Sequence, residues 1–178
     1  KSNGSKRTIK HKIGKIFIAS SLVLLVIALA RPQLPEKAAP VLQKGIDIAM
    51  VLDASGSMKS VDFEPSRFEV AKKTIESFVA ERPLDRTSLI VFAGTAYTRI
   101  LLTLDHNVFR ESLQQVTTKS VNEDGTAIGM AISVGLNRLK SRETQSKIMI
   151  LVTDGNNNAG EINPATASDL AKELGIKI

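Results

Sequence analysis

The sequence predicts an α/β domain in which helices cover both faces of a mainly parallel sheet. Short apolar runs bounded by polar loops are typical of strands that are buried on both faces. Amphipathic helical patterns alternate with these runs along residues 46–178. Such alternation is typical of βαβ units with right-handed crossovers. We therefore expect one domain over residues 46–178, within which ligands would bind at the carboxyl ends of the strands.

Three apolar runs predict buried strands at residues 46–52, 88–92 and 148–152. The run at residues 95–102 is interrupted by polar side chains, and we therefore place it at an edge of the sheet. Residues 176–178 begin another apolar run, which predicts a further strand. Because that strand would begin at the last residues, we expect the sequence to be a piece of a longer chain.

Helices are predicted wherever apolar residues recur at intervals of three and four. The first carries Phe68, Ala71 and Ile75 on one face, and Ser66 with Glu69 has the form of a capping box at its start. A shorter stripe follows at residues 109–116.

A longer apolar stripe begins near Thr126 and runs through residues 128–139. The last predicted helix begins with Asn163 as its cap and Pro164 in its first turn. His106 is interpreted as a residue at the start of a helix rather than as a catalyst.

The charge of the chain is concentrated at its beginning. The formal net charge is +6, and six Lys or Arg residues lie within residues 1–15, which contain no acidic residue. Residues 16–178 therefore hold equal numbers of basic and acidic side chains, which argues against a nucleic-acid partner. The chain has no Cys, which excludes a disulfide framework, a Cys-ligated zinc and a thiol nucleophile.

Residues 16–30 are uncharged and apolar, and they predict one transmembrane helix. The positive-inside rule places the basic arm, residues 1–15, in the cytoplasm and the domain on the far side of the membrane. Residues 31–45 contain three Pro residues and predict an extended stalk. A signal peptide cleaved after Ala28-Leu29-Ala30 is the alternative, and it would also export the domain.

Oxygen-bearing side chains follow two of the predicted strands and precede the long helix. Asp53, Ser55 and Ser57 come directly after the first strand, Asp154 follows the strand at 148–152, and Thr126 precedes the helix. Two carboxylates and three hydroxyls suit a hard divalent cation such as Mg²⁺, with Mn²⁺ as a substitute. The sequence thus predicts a metal site made of Asp53, Ser55, Ser57, Thr126 and Asp154.

Each of these residues also has a structural alternative. Ser57 and Thr126 are residue types that cap helices, and Asp154 precedes Gly155 as in many turns. The residues Asn156–Asn158 are interpreted as a solvated loop that lies near enough to the site to contact a ligand.

Three segments together resemble a known site: Asp-x-Ser-x-Ser after an apolar strand, a Gly-Thr loop before a helix, and Thr-Asp-Gly after a later strand. They are similar to the metal-ion-dependent adhesion site of von Willebrand factor A (VWA) domains. The resemblance covers about residues 46–178 and implies a Rossmann-like three-layer αβα sandwich that is incomplete at its C-terminal end. It also implies an antiparallel edge strand at Tyr97–Leu102 and metal ligation, directly or through water, by the five residues named above.

The flanking segments narrow the resemblance to BatA and BatB aerotolerance-type proteins of bacteria. The segments are Ala-Leu-Ala-Arg-Pro-Gln, Val-Leu-Asp-Ala-Ser-Gly-Ser-Met, Ser-Arg-Phe-Glu-Val-Ala-Lys, Val-Phe-Ala-Gly and Asp-Gly-Thr-Ala-Ile-Gly. This likeness implies an anchor in the bacterial inner membrane, a domain on its periplasmic side, and further spans outside the sequence. It also implies association with MoxR-type AAA+ ATPases and related Bat proteins.

The main hypothesis is a non-enzymatic binding module whose Mg²⁺ captures a carboxylate of a partner protein. The alternative is a metal-assisted hydrolase in which Ser55, Ser57 or a metal-bound water acts as the nucleophile. The sequence has neither a Gly-x-Ser-x-Gly motif nor a Walker lysine motif. A third hypothesis is an assembly protein in which the metal only holds three loops together.

Overall fold

The structure, a computed structural model, describes residues 17–25, 29, 45–140 and 146–178. The chain divides into two units, Lys1–Leu42 and Gln43–Ile178. Residues 17–25 of the first unit are helical. Within the described ranges, no helix has both the length and the apolar character needed to cross a bilayer. The predicted arm at 1–15, parts of the predicted helix at 16–30 and nearly all of the predicted stalk at 31–45 lie outside the described residues.

The second unit contains a mixed sheet in the spatial order β3-β2-β1-β4. Strand β1 is parallel to both β2 and β4, whereas β3 is antiparallel to β2 and forms an edge. The antiparallel edge strand is therefore confirmed. The strands span Asp47–Asp53 (β1), Arg86–Phe92 (β2), Ala96–Thr103 (β3) and Lys147–Val152 (β4).

Four α-helices and a short 3-10 helix connect these strands in the part of the chain that the structure describes. The 3-10 helix follows β1 directly, α1 leads to β2, α2 and α3 separate β3 from β4, and α4 follows β4. Their bounds are Gly56–Lys59 (3-10 helix), Arg67–Ala80 (α1), His106–Gln114 (α2), Ile128–Leu139 (α3) and Pro164–Glu173 (α4).

The N-terminal caps of α1 and α4 lie at the residues where the sequence predicts these helices to begin. The Ser66 hydroxyl accepts a hydrogen bond from the Glu69 amide at 3.3 Å, and the Asn163 side chain accepts one from the Ala165 amide at 2.8 Å. Each bond satisfies an amide that has no partner within its own helix. His106 is the first residue of α2, as predicted, and Asp105 provides the cap.

Two apolar clusters lie on opposite faces of the sheet and confirm the three-layer αβα sandwich. Helices α1 and α2 pack against the face that carries Ile48, Met50 and Leu52. Helices α3 and α4 pack against the face that carries Ala49 and Val51. The alternation follows from the two-residue period of a strand, and a strand that is buried on both faces reads as a continuous apolar run.

The order of the strands brings the ends of β1 and β4 together. The chain passes from β1 to β2 on one side and later adds β4 on the other side, so β1 is the point at which the strand order reverses. Leu52 of β1 pairs with Val152 of β4. The residues that follow these strands therefore leave the sheet next to each other. At the opposite end of β4, Ile148 forms an isolated parallel bridge with Lys177. This single bridge is the part of the predicted strand at 176–178 that is formed.

Candidate metal site

Asp53 is the last residue of β1 and is completely buried. One of its carboxylate oxygens accepts a hydrogen bond from the Ser55 amide at 2.7 Å. The other accepts one from the Thr153 hydroxyl at 2.6 Å. A buried carboxylate needs such partners because desolvation of an unpaired charge is costly. Asp53 thus joins the loop that follows β1 to the loop that follows β4.

The two serines present their hydroxyls close together because the chain turns into the 3-10 helix immediately after Ser55. The Ser55 and Ser57 hydroxyl oxygens are 3.0 Å apart. The Ser57 hydroxyl donates to Oδ1 of Asp154 at 2.8 Å. Ser55 is only 4% exposed, whereas Ser57 lies at the surface. The structure therefore brings four of the five predicted residues into one hydrogen-bonded group that runs from the buried Asp53 to the surface.

Thr126, the fifth predicted residue, is 4% exposed and precedes α3 by two residues. A Cβ atom built on Gly155 would lie 3.4 Å from the Thr126 hydroxyl, so this hydroxyl faces the residue that follows Asp154. The loop that precedes α3 and the loop that follows β4 are therefore in contact at the candidate site.

Asn158 holds Thr126 in place, a role that the sequence analysis missed when it interpreted Asn156–Asn158 as a solvated loop. Oδ1 of Asn158 accepts a hydrogen bond from the Thr126 amide at 2.7 Å. The Asn158 amide donates to the Thr126 carbonyl at 3.1 Å. The asparagine side chains are exposed, as predicted, but two of them are bonded, since Asn157 also accepts from the Gly129 amide at 3.4 Å.

The structural alternatives for the serine and threonine side chains do not match the observed contacts. The N-cap residues of the 3-10 helix and of α3, Ser55 and Ala127, make no capping hydrogen bond through their side chains, and the side chain that bonds to the first turn of α3 is that of Asn157. The hydroxyls of Ser57 and Thr126 are therefore not used as helix caps. Asp154 bonds to Ser57 and Arg67, which are far from it in sequence, rather than shaping its own turn.

Arg67 is a second residue that the sequence analysis did not assign to the site. Its guanidinium Nη1 donates to Oδ2 of Asp154, and its Nε and Nη2 donate to Asp62. The hydrogen bond from Arg67 holds the pKa of the Asp62 carboxyl below its usual value. The bonds to Asp62 and then to Asp154 raise the pKa of the Arg67 guanidinium. A positive charge therefore lies against Asp154.

The side-chain atoms that the five predicted residues could offer to a metal are all oxygens, which are the ligands of hard divalent cations such as Mg²⁺. Among the described residues, no group of three or more His, Cys, Asp or Glu side chains could hold an ion by itself. A metal held beside Asp53 and Asp154 would therefore need the neighbouring hydroxyls as further ligands. Beside these residues lies an open groove of about 340 Å³, lined mainly by apolar side chains, among them Met58, Phe63 and Val70.

His106 lies at the other end of the strands. Its Nε2 is 3.0 Å from the carbonyl oxygen of Asp85, directly before β2 begins. The site lies where the parallel strands end, so this imidazole is not beside either serine.

Solved structures with the same fold include proteins from two Bacteroides species. The BatB protein of Bacteroides thetaiotaomicron is 35% identical, with a TM-score of 0.69, over 74% of this chain and 63% of its own. An aerotolerance-related membrane protein of Bacteroides fragilis is 32% identical, with the same TM-score of 0.69, over 74% of this chain and 64% of its own.

A further match is proximal thread matrix protein 1 of the mussel byssus, in a structure described as having a zinc-occupied MIDAS motif. It is 26% identical, with a TM-score of 0.63, and the match covers 75% of this chain and 35% of that protein. The chain spans about half the length of the curated relatives that it matches.

The family model described as von Willebrand factor type A domain matches residues 48–157. This range is more than half of the chain, and it contains Asp53, Ser55, Ser57, Thr126 and Asp154. The chain belongs to the von Willebrand factor type A domain family.

Proposed function

We propose that this protein is a membrane-anchored interaction module that binds a carboxylate of a partner protein through a divalent cation. VWA domains are generally adhesion or interaction modules. The observation that carries the proposal is the convergence of Asp53, Ser55, Ser57 and Asp154 from two separate strand ends into one hydrogen-bonded group.

In this proposal Asp53, Ser55, Ser57, Thr126 and Asp154 hold Mg²⁺, for which Mn²⁺ can substitute. The donor set fits such an ion because two carboxylates balance its charge and three hydroxyls add neutral oxygen ligands. When bound, the cation supplies a Lewis-acidic position that attracts an external carboxylate. The metal-bound thread matrix protein, a fold neighbour, supports the choice of a divalent cation.

The residues of the chain have distinct tasks. The hydrogen bonds to Ser55 and Thr153 hold the buried Asp53 in one orientation. Asn158 fixes the backbone of Thr126. Ser57 and Asp154 lie nearest the surface, where an incoming partner would meet them. Because these contacts exist before a partner arrives, little ordering of the site would oppose binding.

We also propose that the domain at 46–178 stands on a stalk at 31–45, a transmembrane helix at 16–30 and a cytoplasmic arm at 1–15. The domain would then lie on the periplasmic side of a bacterial inner membrane. The likeness to the aerotolerance-related membrane protein supports the membrane location. The proposed partners are related Bat proteins and a MoxR-type AAA+ ATPase, as the sequence resemblance to the aerotolerance-type proteins implies.

The substitution Asp53→Asn tests the metal dependence. An amide keeps an acceptor for the Ser55 amide and can donate to the Thr153 hydroxyl, so we expect the fold to persist while a ligand charge is lost. Wild-type protein in bacterial membranes should retain partners in Mg²⁺ and release them with a chelator, and the variant should retain none. Asp169→Asn, an exposed position on α4, is the matched control.

Three outcomes would contradict the proposal. Equal partner retention by Asp53→Asn and wild type would refute the metal mechanism. Stabilisation by Mg²⁺ without any change in partner retention would favour a purely structural metal. Mg²⁺-dependent turnover of phosphate or ester substrates that Ser55→Ala abolishes would favour the hydrolase.

A further inference from the structure

The segment Ser66-Arg67-Phe68-Glu69 begins α1, and its arginine contacts the candidate metal site. Arg67 donates through Nη1 to Oδ2 of Asp154, while Oδ1 of the same carboxylate accepts from Ser57. Both oxygens of Asp154 are therefore engaged by other side chains. Asp154 lies at the surface, and its side chain is 13% exposed in this arrangement.

Asp62 binds the other side of the same guanidinium. Nε of Arg67 lies 2.8 Å from Oδ1 and 3.0 Å from Oδ2 of Asp62, and Nη2 lies 2.5 Å from Oδ2. This two-pronged arrangement is a strong geometry for a guanidinium and a carboxylate. One positive charge is thus shared between two carboxylates, of which only Asp154 belongs to the candidate ligand set.

The backbone of Arg67 is attached to the serine loop. The Arg67 amide donates to the Ser60 carbonyl at 3.0 Å, and the Ser60 amide donates to the Ser57 carbonyl at 3.0 Å. Arg67 therefore has a fixed position relative to Ser57, and its side chain reaches across to the loop that carries Asp154.

A guanidinium and a dication both attract the same carboxylate. A positive charge a few ångströms from a bound cation weakens the binding of that cation, even at a solvated site. The more strongly Arg67 holds Asp154, the less of that carboxylate's charge is available to a metal. Asp62 weakens this hold because it competes for the same guanidinium.

We propose that Arg67 withholds Asp154 from the metal and that Asp62 sets the strength of this restraint. The inference rests on the proposed metal site. As a consequence, the protein binds the metal less tightly. The protein's own carboxylates also neutralise less of the metal's charge, so the metal attracts a partner's carboxylate more strongly. Arg67 is in this sense a positioning residue that tunes the site through Asp154.

Titration of the full chain with Mn²⁺, followed by calorimetry and by the electron paramagnetic resonance signal of free Mn²⁺, tests this inference. Arg67→Gln should bind Mn²⁺ roughly 3- to 30-fold more tightly than wild type. Asp62→Asn should bind it roughly 3- to 30-fold more weakly, since the guanidinium then pairs with Asp154 alone. The double variant should bind like Arg67→Gln, because Asp62 acts only through Arg67.

The two single variants should change the Mn²⁺ affinity in opposite directions. A merely structural ion pair would instead predict the same change in affinity whether Arg67 or Asp62 is replaced. The double variant distinguishes this inference from a long-range electrostatic effect. If only long-range charge mattered, the loss of one positive and one negative charge would cancel, and the double variant would bind Mn²⁺ like the wild type. Arg110 and Glu76 form a matched control, a surface pair at 3.2 Å that joins α2 to α1 away from the site. Arg110→Gln and Glu76→Gln should change the affinity by less than about twofold.

Asp62 lies in an exposed loop, so Asp62→Asn tests the inference even if Arg67→Gln lowers the stability of the fold. Unchanged Mn²⁺ affinity in Asp62→Asn and Arg67→Gln, beside normal binding by wild type, would overturn this inference and leave the proposed function intact. Absence of saturable Mn²⁺ binding by the wild-type chain would overturn both.

Discussion

Single polar side chains hold the loops of the candidate site in position. Thr153 and Asn158 contribute no atoms to the proposed ligand set, yet Thr153 orients Asp53 and Asn158 orients Thr126. A hydrogen bond to a partly buried amide contributes modestly when it is formed, but its loss leaves a polar group unpaired at a cost of about 1–3 kcal/mol. These residues are therefore as important to the geometry as the ligands themselves.

Asn158→Ala should weaken metal binding without removing a ligand. The substitution leaves the Thr126 amide without its acceptor, and we expect Thr126 to shift and Mn²⁺ affinity to fall about tenfold. Calorimetric titration measures the change. Asn158→Asp keeps an acceptor oxygen and adds a negative charge near the site, so it should bind Mn²⁺ at least as tightly as the wild type.

Asn156→Ala is the matched control for this prediction, because the Asn156 side chain is exposed and makes no hydrogen bond to any residue that the structure describes. An equal loss of affinity in Asn156→Ala and Asn158→Ala would show that the bond to Thr126 is not the cause.

At the level of elements, the position of Thr126 depends on how α3 packs beside the loop that precedes α4. A Cβ atom on Gly129, in the first turn of α3, would lie 1.9 Å from the carbonyl oxygen of Ile162. The neighbour is backbone and cannot rotate away. The glycine therefore allows α3 and this loop to approach closely enough for the contacts around Thr126 to form.

Gly129→Ala should destabilise the domain. Alanine favours a helix over glycine by about 1 kcal/mol, but the displacement of backbone that it forces here exceeds that gain. We expect a net loss of about 1–3 kcal/mol in the free energy of unfolding, measured by urea denaturation in metal-free buffer. Gly56→Ala, where a Cβ atom would meet nothing within 4 Å, should have almost no effect. Equal stability of Gly129→Ala and wild type would refute the packing argument.

For the whole molecule, the charge distribution agrees with the proposed anchored binding module. The net positive charge comes from residues 1–15, whereas residues 16–178 are electrically balanced. In the proposed topology, the positive-inside rule would keep this arm on the cytoplasmic side. A domain that captures a partner's carboxylate on the opposite side needs no net charge of its own, because a bound cation provides the attraction.

This organisation predicts how the full chain behaves in membranes. With an epitope tag before residue 1, the protein should remain in the membrane after carbonate extraction. Protease added outside intact spheroplasts should digest the domain and spare the tag, and permeabilised cells should lose both. A cytoplasmic tagged marker protein controls for membrane integrity. Extraction of a shortened, untagged domain by carbonate would instead indicate a cleaved signal peptide.

Local pattern was sufficient to predict most of the fold and the candidate ligands. Burial of a strand on both faces produces a continuous apolar run, and an amphipathic helix produces a stripe, so both are visible within a dozen residues. The five candidate ligands stand out because they directly follow strands or precede a helix. The parallel arrangement of those strands implies that their ends meet.

The contacts that orient these ligands required the tertiary structure. Arg67 bonds to Asp154 across 87 residues, Thr153 to Asp53 across 100, and Asn158 to Thr126 across 32. No periodicity or spacing links such distant residues, because the register of the strands and the packing of α1 and α3 bring them together. The candidate oxygen ligands can thus be predicted from short motifs, whereas the charge beside Asp154 and the orientation of Thr126 depend on the assembled sandwich.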